Sequence, residues 1–182
     1  MKAICILNNS KGENKGLVKM IWNGQGVYFS VKLWEMPPGK HGFHVHRTGN
    51  ISNGPHTLCD HFTSRGKSHG DLNDPDAHNG DLGNLEVGEN GECSVQFRAL
   101  YISLSGANSI IGRSLVVHAD RDDLGKGSFP DSATTGHSGE RLLYGIIGID
   151  EGCQHQNVVT SEREPIPAFG ELPGGPGGCH IL

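Results

Sequence analysis

Aromatic residues make up only 6% of the 182-residue chain and apolar residues 35%. No run comes near the roughly 18 apolar residues that a membrane-spanning helix needs. The stretch Ala3 to Leu7 is too short for the apolar part of a signal peptide, so the sequence reads as soluble and intracellular. Lys and Arg are few, 15 against 20 Asp and Glu, for a net charge of -5. Without a basic cluster, nucleic acid is excluded as a partner, and an anionic substrate would need a local positive field. Cysteine is also scarce. Cys5, Cys59, Cys93, Cys153 and Cys179 are odd in number and too scattered for a secreted disulfide framework, which favours a reducing, cytoplasmic location.

Glycine is the abundant residue, 28 of 182, and it favours turns over long helices. Short apolar or alternating runs recur between the turns. They are Ala3 to Leu7, Gly16 to Trp22, Val27 to Trp34, His41 to His46, Leu82 to Val87, Ser94 to Leu104, Ser114 to Ala119 and Leu142 to Ile149. Eight strands without a convincing helix predict an all-β sandwich or flattened barrel. Asn23-Gly24 and Asn90-Gly91 supply hairpin turns. Two connections, Arg47 to Asp81 and Asp120 to Arg141, are too long for simple turns and are expected to be functional loops. The chain divides into a domain over residues 1–150 and a Pro- and Gly-rich extension over 151–182, expected to be flexible. The extension carries Glu151, Glu162, Glu164 and Glu171 against Arg163, so it contributes -3 and leaves -2 for residues 1–150.

The chemistry is expected where histidine concentrates, because six of the 11 histidines lie between His44 and His78. In His44-Val45-His46 the two imidazoles share one strand face and can reach one ion, although His-x-His also occurs as a solvated pair. The following loop adds His61, His69, His78 and Asp81, three imidazoles and a carboxylate that suit a tetrahedral zinc site. Another strand ends in His118, within reach of the His44 and His46 face.

These segments resemble the copper, zinc superoxide dismutases. The resemblance rests on Gly42-Phe43-His44-Val45-His46, His78-Asn79-Gly80-Asp81-Leu82-Gly83-Asn84, Ile110-Ile111-Gly112-Arg113-Ser114-Leu115-Val116-Val117-His118, Asp122-Asp123-Leu124-Gly125-Lys126-Gly127 and Thr135-Gly136-His137-Ser138-Gly139-Glu140-Arg141-Leu142. It spans about residues 2 to 150 and implies a Greek-key β-sandwich or barrel. It implies that superoxide is converted to oxygen and hydrogen peroxide, with copper as the redox ion and zinc as the structural one. Carried over residue by residue, it makes His44, His46 and His118 copper ligands, His61 the bridge between the metals, and His69, His78 and Asp81 the remaining zinc ligands. His61 is then expected to hold and release a proton at its copper-facing nitrogen. Asp122 corresponds to the carboxylate that orients histidines of both sites. Arg141 would capture the anion, Thr135 would narrow the channel opposite it, and Lys126 would add positive potential. The resemblance also implies a two-fold dimer using Ile111-Gly112 and Ile146 to Ile149, and a copper chaperone as a delivery partner.

The sequence departs from the family pattern at several points. The strand cysteine of the usual disulfide is replaced by Tyr144, and the loop cysteine's place holds Pro55, with Cys59 four residues on; no disulfide is expected. Thr48 replaces an aromatic of the dimer patch, and Arg47 stands where relatives carry an acid. Phe129-Pro130-Asp131 and Thr134 replace the charged residues of the second loop, so a shallower salt dependence of the rate is expected, with Arg47 compensating. The final Cys179-His180-Ile181-Leu182 fits a loose prenylation pattern that would tether the protein to a membrane face, but His180 and the lack of nearby basic residues favour an unmodified tail. The competing function is a catalytically weak metal-binding protein that sequesters copper or zinc or competes for copper delivery. Retention of seven ligands and Arg141 speaks against it.

Overall fold

The computed structural model describes residues 1–64 and 68–152. Ten strands form: β1 (Lys2–Asn8), β2 (Asn14–Trp22), β3 (Val27–Leu33), β4 (Gly39–His46), β5 (Ser52–Pro55), β6 (Asp81–Val87), β7 (Cys93–Ala99), β8 (Ser114–His118), β9 (Arg141–Ile146) and β10 (Gly148–Ile149). Eight of them make a nearly closed antiparallel barrel in the order β6-β4-β8-β9-β1-β2-β3-β7, and β10 pairs with β1 beside that path. The β1-β2-β3 meander follows from the glycine turns, whereas β4 is flanked by β6 and β8. Strands distant in sequence therefore meet, as in a Greek key.

Period-2 burial explains why these runs became strands. In β1, Ala3, Cys5 and Leu7 point inward, and in β2 Val18 and Met20 do so. Aromatics are few but central: Phe29 stacks on Phe97 at 4.9 Å, and Phe43 meets both rings edge-on.

Three local expectations need correction. The strand expected over Ser94 to Leu104 ends at Ala99, because Leu100 to Ile102 turn away to carry the chain toward β8. The run Leu142 to Ile149 is broken at Ile147, whose amide and carbonyl bond Arg113 and Gly112 rather than a strand partner. A one-turn helix, α1 (Ser132–Thr135), stands in the second long connection, closed by Gly136 in a left-handed conformation. No helix among the described residues is long and apolar enough to cross a membrane. The extension expected over 151–182, with Cys153 and Cys179, lies outside the described residues except for Glu151 and Gly152.

Candidate metal centre

The centre forms where β4 and β8 pair, with His44 opposite Val116 and His46 opposite Ser114. His118 closes β8, and the loop after β4 returns to place His61 in a bridge against His46. The result is a cluster of imidazoles. His44 and His61 lie 4.0 Å apart between ring centres, His44 and His118 4.9 Å, and His46 and His61 5.0 Å. Potential ligand atoms converge in two groups, His44, His46, His61 and His118 in one and His44, His61, His69 and Asp81 in the other, all buried. His78 stands at the rim of the second group, its Nδ1 3.3 Å from the Asp81 carboxylate.

The outer hydrogen bonds fix what faces inward. His46 Nδ1 lies 2.8 Å from the Cys59 carbonyl, and His118 Nδ1 lies 3.0 Å from that of Gly139. Carbonyls only accept, so both Nδ1 atoms donate. His44 Nε2 donates to Asp122 at 2.8 Å. A neutral imidazole has one N–H, so His44 Nδ1, His46 Nε2 and His118 Nε2 are left as lone pairs. His46 Nε2 and His118 Nε2 face each other at 3.3 Å. Buried His44 Nδ1 and His61 Nε2 have no hydrogen-bond partner, whereas His69 Nδ1 lies 3.0 Å from an Asp81 carboxylate oxygen. Bare nitrogens with this arrangement fit a cation and are costly without one.

Burial, followed by the neighbouring imidazoles His61 and His118, pushes His44 and His46 well below the usual histidine range. Burial likewise takes His118 down to about 4. The neutral, ligating form is therefore the resting one. The other flank behaves differently. Burial works to lower His69, but the carboxylates of Asp122 and Asp81 outweigh it and hold His69 up at about 9. Burial works to raise Asp81, yet bonds from His61, His69 and His78 drive its carboxyl far below the ordinary range.

Asp122 joins the flanks: one oxygen takes His44 Nε2 at 2.8 Å and the other takes His69 Nε2 at 2.7 Å. Asn84 clamps Asp122, donating from its amide to the Asp122 carbonyl at 2.9 Å and accepting from the Asp122 N–H at 2.8 Å. Gly136 makes room, since a Cβ there would fall 1.9 Å from the carboxylate and 2.4 Å from His69 Nε2.

The family model described as copper/zinc superoxide dismutase (SODC) matches residues 14–147. The chain belongs to the copper/zinc superoxide dismutase family. It is 44% identical over 149 residues to superoxide dismutase [Cu-Zn] 2 of Brassica juncea, an alignment covering 81% of this chain and 97% of the relative. Its fold matches the crystal structure of the clock protein EA4 with a TM-score of 0.77 at 39% identity, covering 81% of this chain and 94% of that one. As a member of this family the chain is a superoxide dismutase, and its cofactors are copper and zinc.

The remaining site residues are placed as follows. Arg141 begins β9, half-buried, with NH1 donating to the Pro55 carbonyl and NH2 to the Cys59 carbonyl at 2.7 Å. Thr135 ends α1, its hydroxyl bonded to Asp131 at 3.2 Å. Lys126 is exposed, 3.9 Å from Asp71. Cys5 and Cys59 are free thiols. Tyr144, at the strand position where the resemblance places a disulfide cysteine, has its hydroxyl 3.5 Å from where a Cβ of Gly54 would be, so it packs against the loop that follows β4.

Sequence reasoning missed His41. It is 3% exposed and its ring nitrogens sit 2.8 Å from the His118 carbonyl and 2.9 Å from that of Pro37. The signal was present, because two-residue alternation puts His41 on the core face with Phe43 and Val45, where an imidazole needs polar partners. Asn84 was visible only as part of a motif.

Proposed function

We propose that copper is held by His44, His46, His118 and His61, and zinc by His61, His69, His78 and Asp81, with Asp122 orienting both sets. The observation that carries this reading is the set of lone pairs left facing one another once every outer nitrogen has its acceptor. Copper supplies one-electron redox chemistry that zinc lacks. The chain's own residues do the rest. His61, with Nδ1 2.9 Å from Asp81 and Nε2 bare, can hold a proton at Nε2 and give it to the departing peroxide.

Arg141 captures the anion. Burial lowers its pKa, countered by the field of Asp60, but the guanidinium remains charged. Its two bonds to the loop carbonyls fix it in place, and its charge is felt at His46 and His118. The deciding experiment is Arg141→Ala. The expected result is a fall in kcat/KM for superoxide of about tenfold or more at low salt with copper and zinc content unchanged. Lost metal instead would assign Arg141 a structural role. Thr135 and Lys126 are proposed as lesser contributors to channel width and potential.

A two-fold dimer is supported by the exposed Ile6, Ile51, Ile146 and Ile149. The free thiols of Cys5 and Cys59 support a reducing cytoplasm, where a copper chaperone is the proposed delivery partner. Membrane tethering through Cys179 rests on sequence alone, and intact mass after eukaryotic expression tests it.

A further inference from the structure

Two guanidinium groups outside the metal centre lack the counter-charge that such a pair requires. Arg113 precedes β8 and is fixed on three sides. Its Nε donates to the Ser109 carbonyl at 2.9 Å, its NH1 donates to the Arg47 carbonyl at 2.5 Å, and its guanidinium carbon lies 3.7 Å over the Phe62 ring. Arg47 follows the metal-centre residue His46 at the end of β4 and is exposed. Among the described residues neither guanidinium has a carboxylate partner. Asp60, whose carbonyl accepts the Arg47 N–H at 2.9 Å, has a charge that is felt at Arg141. His46 pairs with Ser114 in the antiparallel β4–β8 register, so Arg47 and Arg113 stand next to one another just beyond it, and burial followed by the charge of Arg47 lowers the pKa of Arg113.

Like charges held together in this way cost free energy that a shared anion would recover. Arg113 is immobilised by the ring and two carbonyls, which reduces the entropy lost on binding, while exposed Arg47 is free to close over a ligand. The charge balance specifies the ligand class: two cations suit a dianion better than a monoanion such as chloride or superoxide. We propose that Arg47 and Arg113 form an oxyanion site, separate from the metal centre, that takes inorganic phosphate.

The test uses the full-length, copper(I)- and zinc-loaded protein labelled with nitrogen-15. Inorganic phosphate is titrated at slightly alkaline pH and constant ionic strength, with chloride as the balancing anion, while the Arg113 Nε–Hε signal and the Arg47 and Thr48 amides are followed. Saturable shifts are expected at these positions, preserved in Arg141→Ala and weakened by about tenfold or more in Arg47→Glu, which supplies an internal carboxylate. Arg47→Gln, with one charge removed, is expected to fall between. The proposal is overturned if the shifts do not saturate or chloride alone reproduces them. It is equally overturned if Arg47→Glu leaves them unchanged, or if they vanish in Arg141→Ala, which would place phosphate in the metal cavity.

Discussion

The two flanks of the metal centre are built on different principles. On the proposed copper side His44, His46 and His118 sit on paired strands and their outer nitrogens are held mainly by backbone carbonyls, so the site is as rigid as the barrel. On the proposed zinc side the histidines belong to the loop before β6 and are held by the carboxylates of Asp81, at the start of β6, and Asp122, so position depends on charge. The pKa directions follow from this difference. Burial keeps the imidazoles of His44, His46 and His118 neutral, whereas the carboxylates of Asp122 and Asp81 make His69 basic. One flank is preorganised as a set of lone pairs; the other is held by ion pairing until a cation replaces the protons.

The largest expected effect that tests this contrast is the pH dependence of stability in the metal-free protein. Above pH 6.5 the folded and unfolded chains both carry a neutral His118. As the pH falls, the unfolded chain binds a proton that the folded chain refuses until about 4. Stability is therefore full above 6.5 and declines toward pH 4, by about 3 kcal/mol from His118 alone, with His44 and His46 acting in the same direction. His69 has the opposite sign: its contribution is present below 6.5 and is lost as the pH rises through about 9. Urea midpoints measured from pH 4 to 10 should give a dome, and a flat acid limb would contradict the copper-side account.

Asp122→Asn removes the acceptor common to both flanks. Copper and zinc affinities are each expected to fall about 10- to 100-fold, as measured by competition with chelators. A loss confined to one metal would mean that the flanks are independent. A smaller effect is expected at the loop anchor. Tyr144→Ala should destabilise the protein by about 1–2 kcal/mol in urea unfolding, because a half-buried ring against Gly54 is removed. The smallest expected effect is a null: thiol reductants should leave the melting temperature of the metal-loaded protein unchanged, since the thiols of Cys5 and Cys59 are already reduced. A drop would reveal a disulfide through the cysteines beyond residue 152.

The same contrast explains what the sequence made legible. Strand periodicity and the His-x-His spacing point straight to β4, and the ligand candidates of both flanks do come together. The helix Ser132–Thr135 was invisible because it is a single turn set by its place between Asp131 and Gly136, without an apolar period of its own. The break at Ile147 could not be read either, since it depends on Arg113 and Gly112, more than thirty residues away in sequence. His41 and Asn84 act through backbone carbonyls and amides, partners that residue spacing does not reveal.

Cys59 has a left-handed backbone at φ 62°, and its carbonyl receives both His46 Nδ1 and Arg141 NH2. One peptide group thus carries the alignment of the proposed metal ligand His46 and of Arg141, the proposed substrate-facing cation, together. Insertions or deletions between residues 46 and 59 that shift this oxygen by a single peptide would disable both at once, so evolution can vary the composition of that loop far more freely than its length.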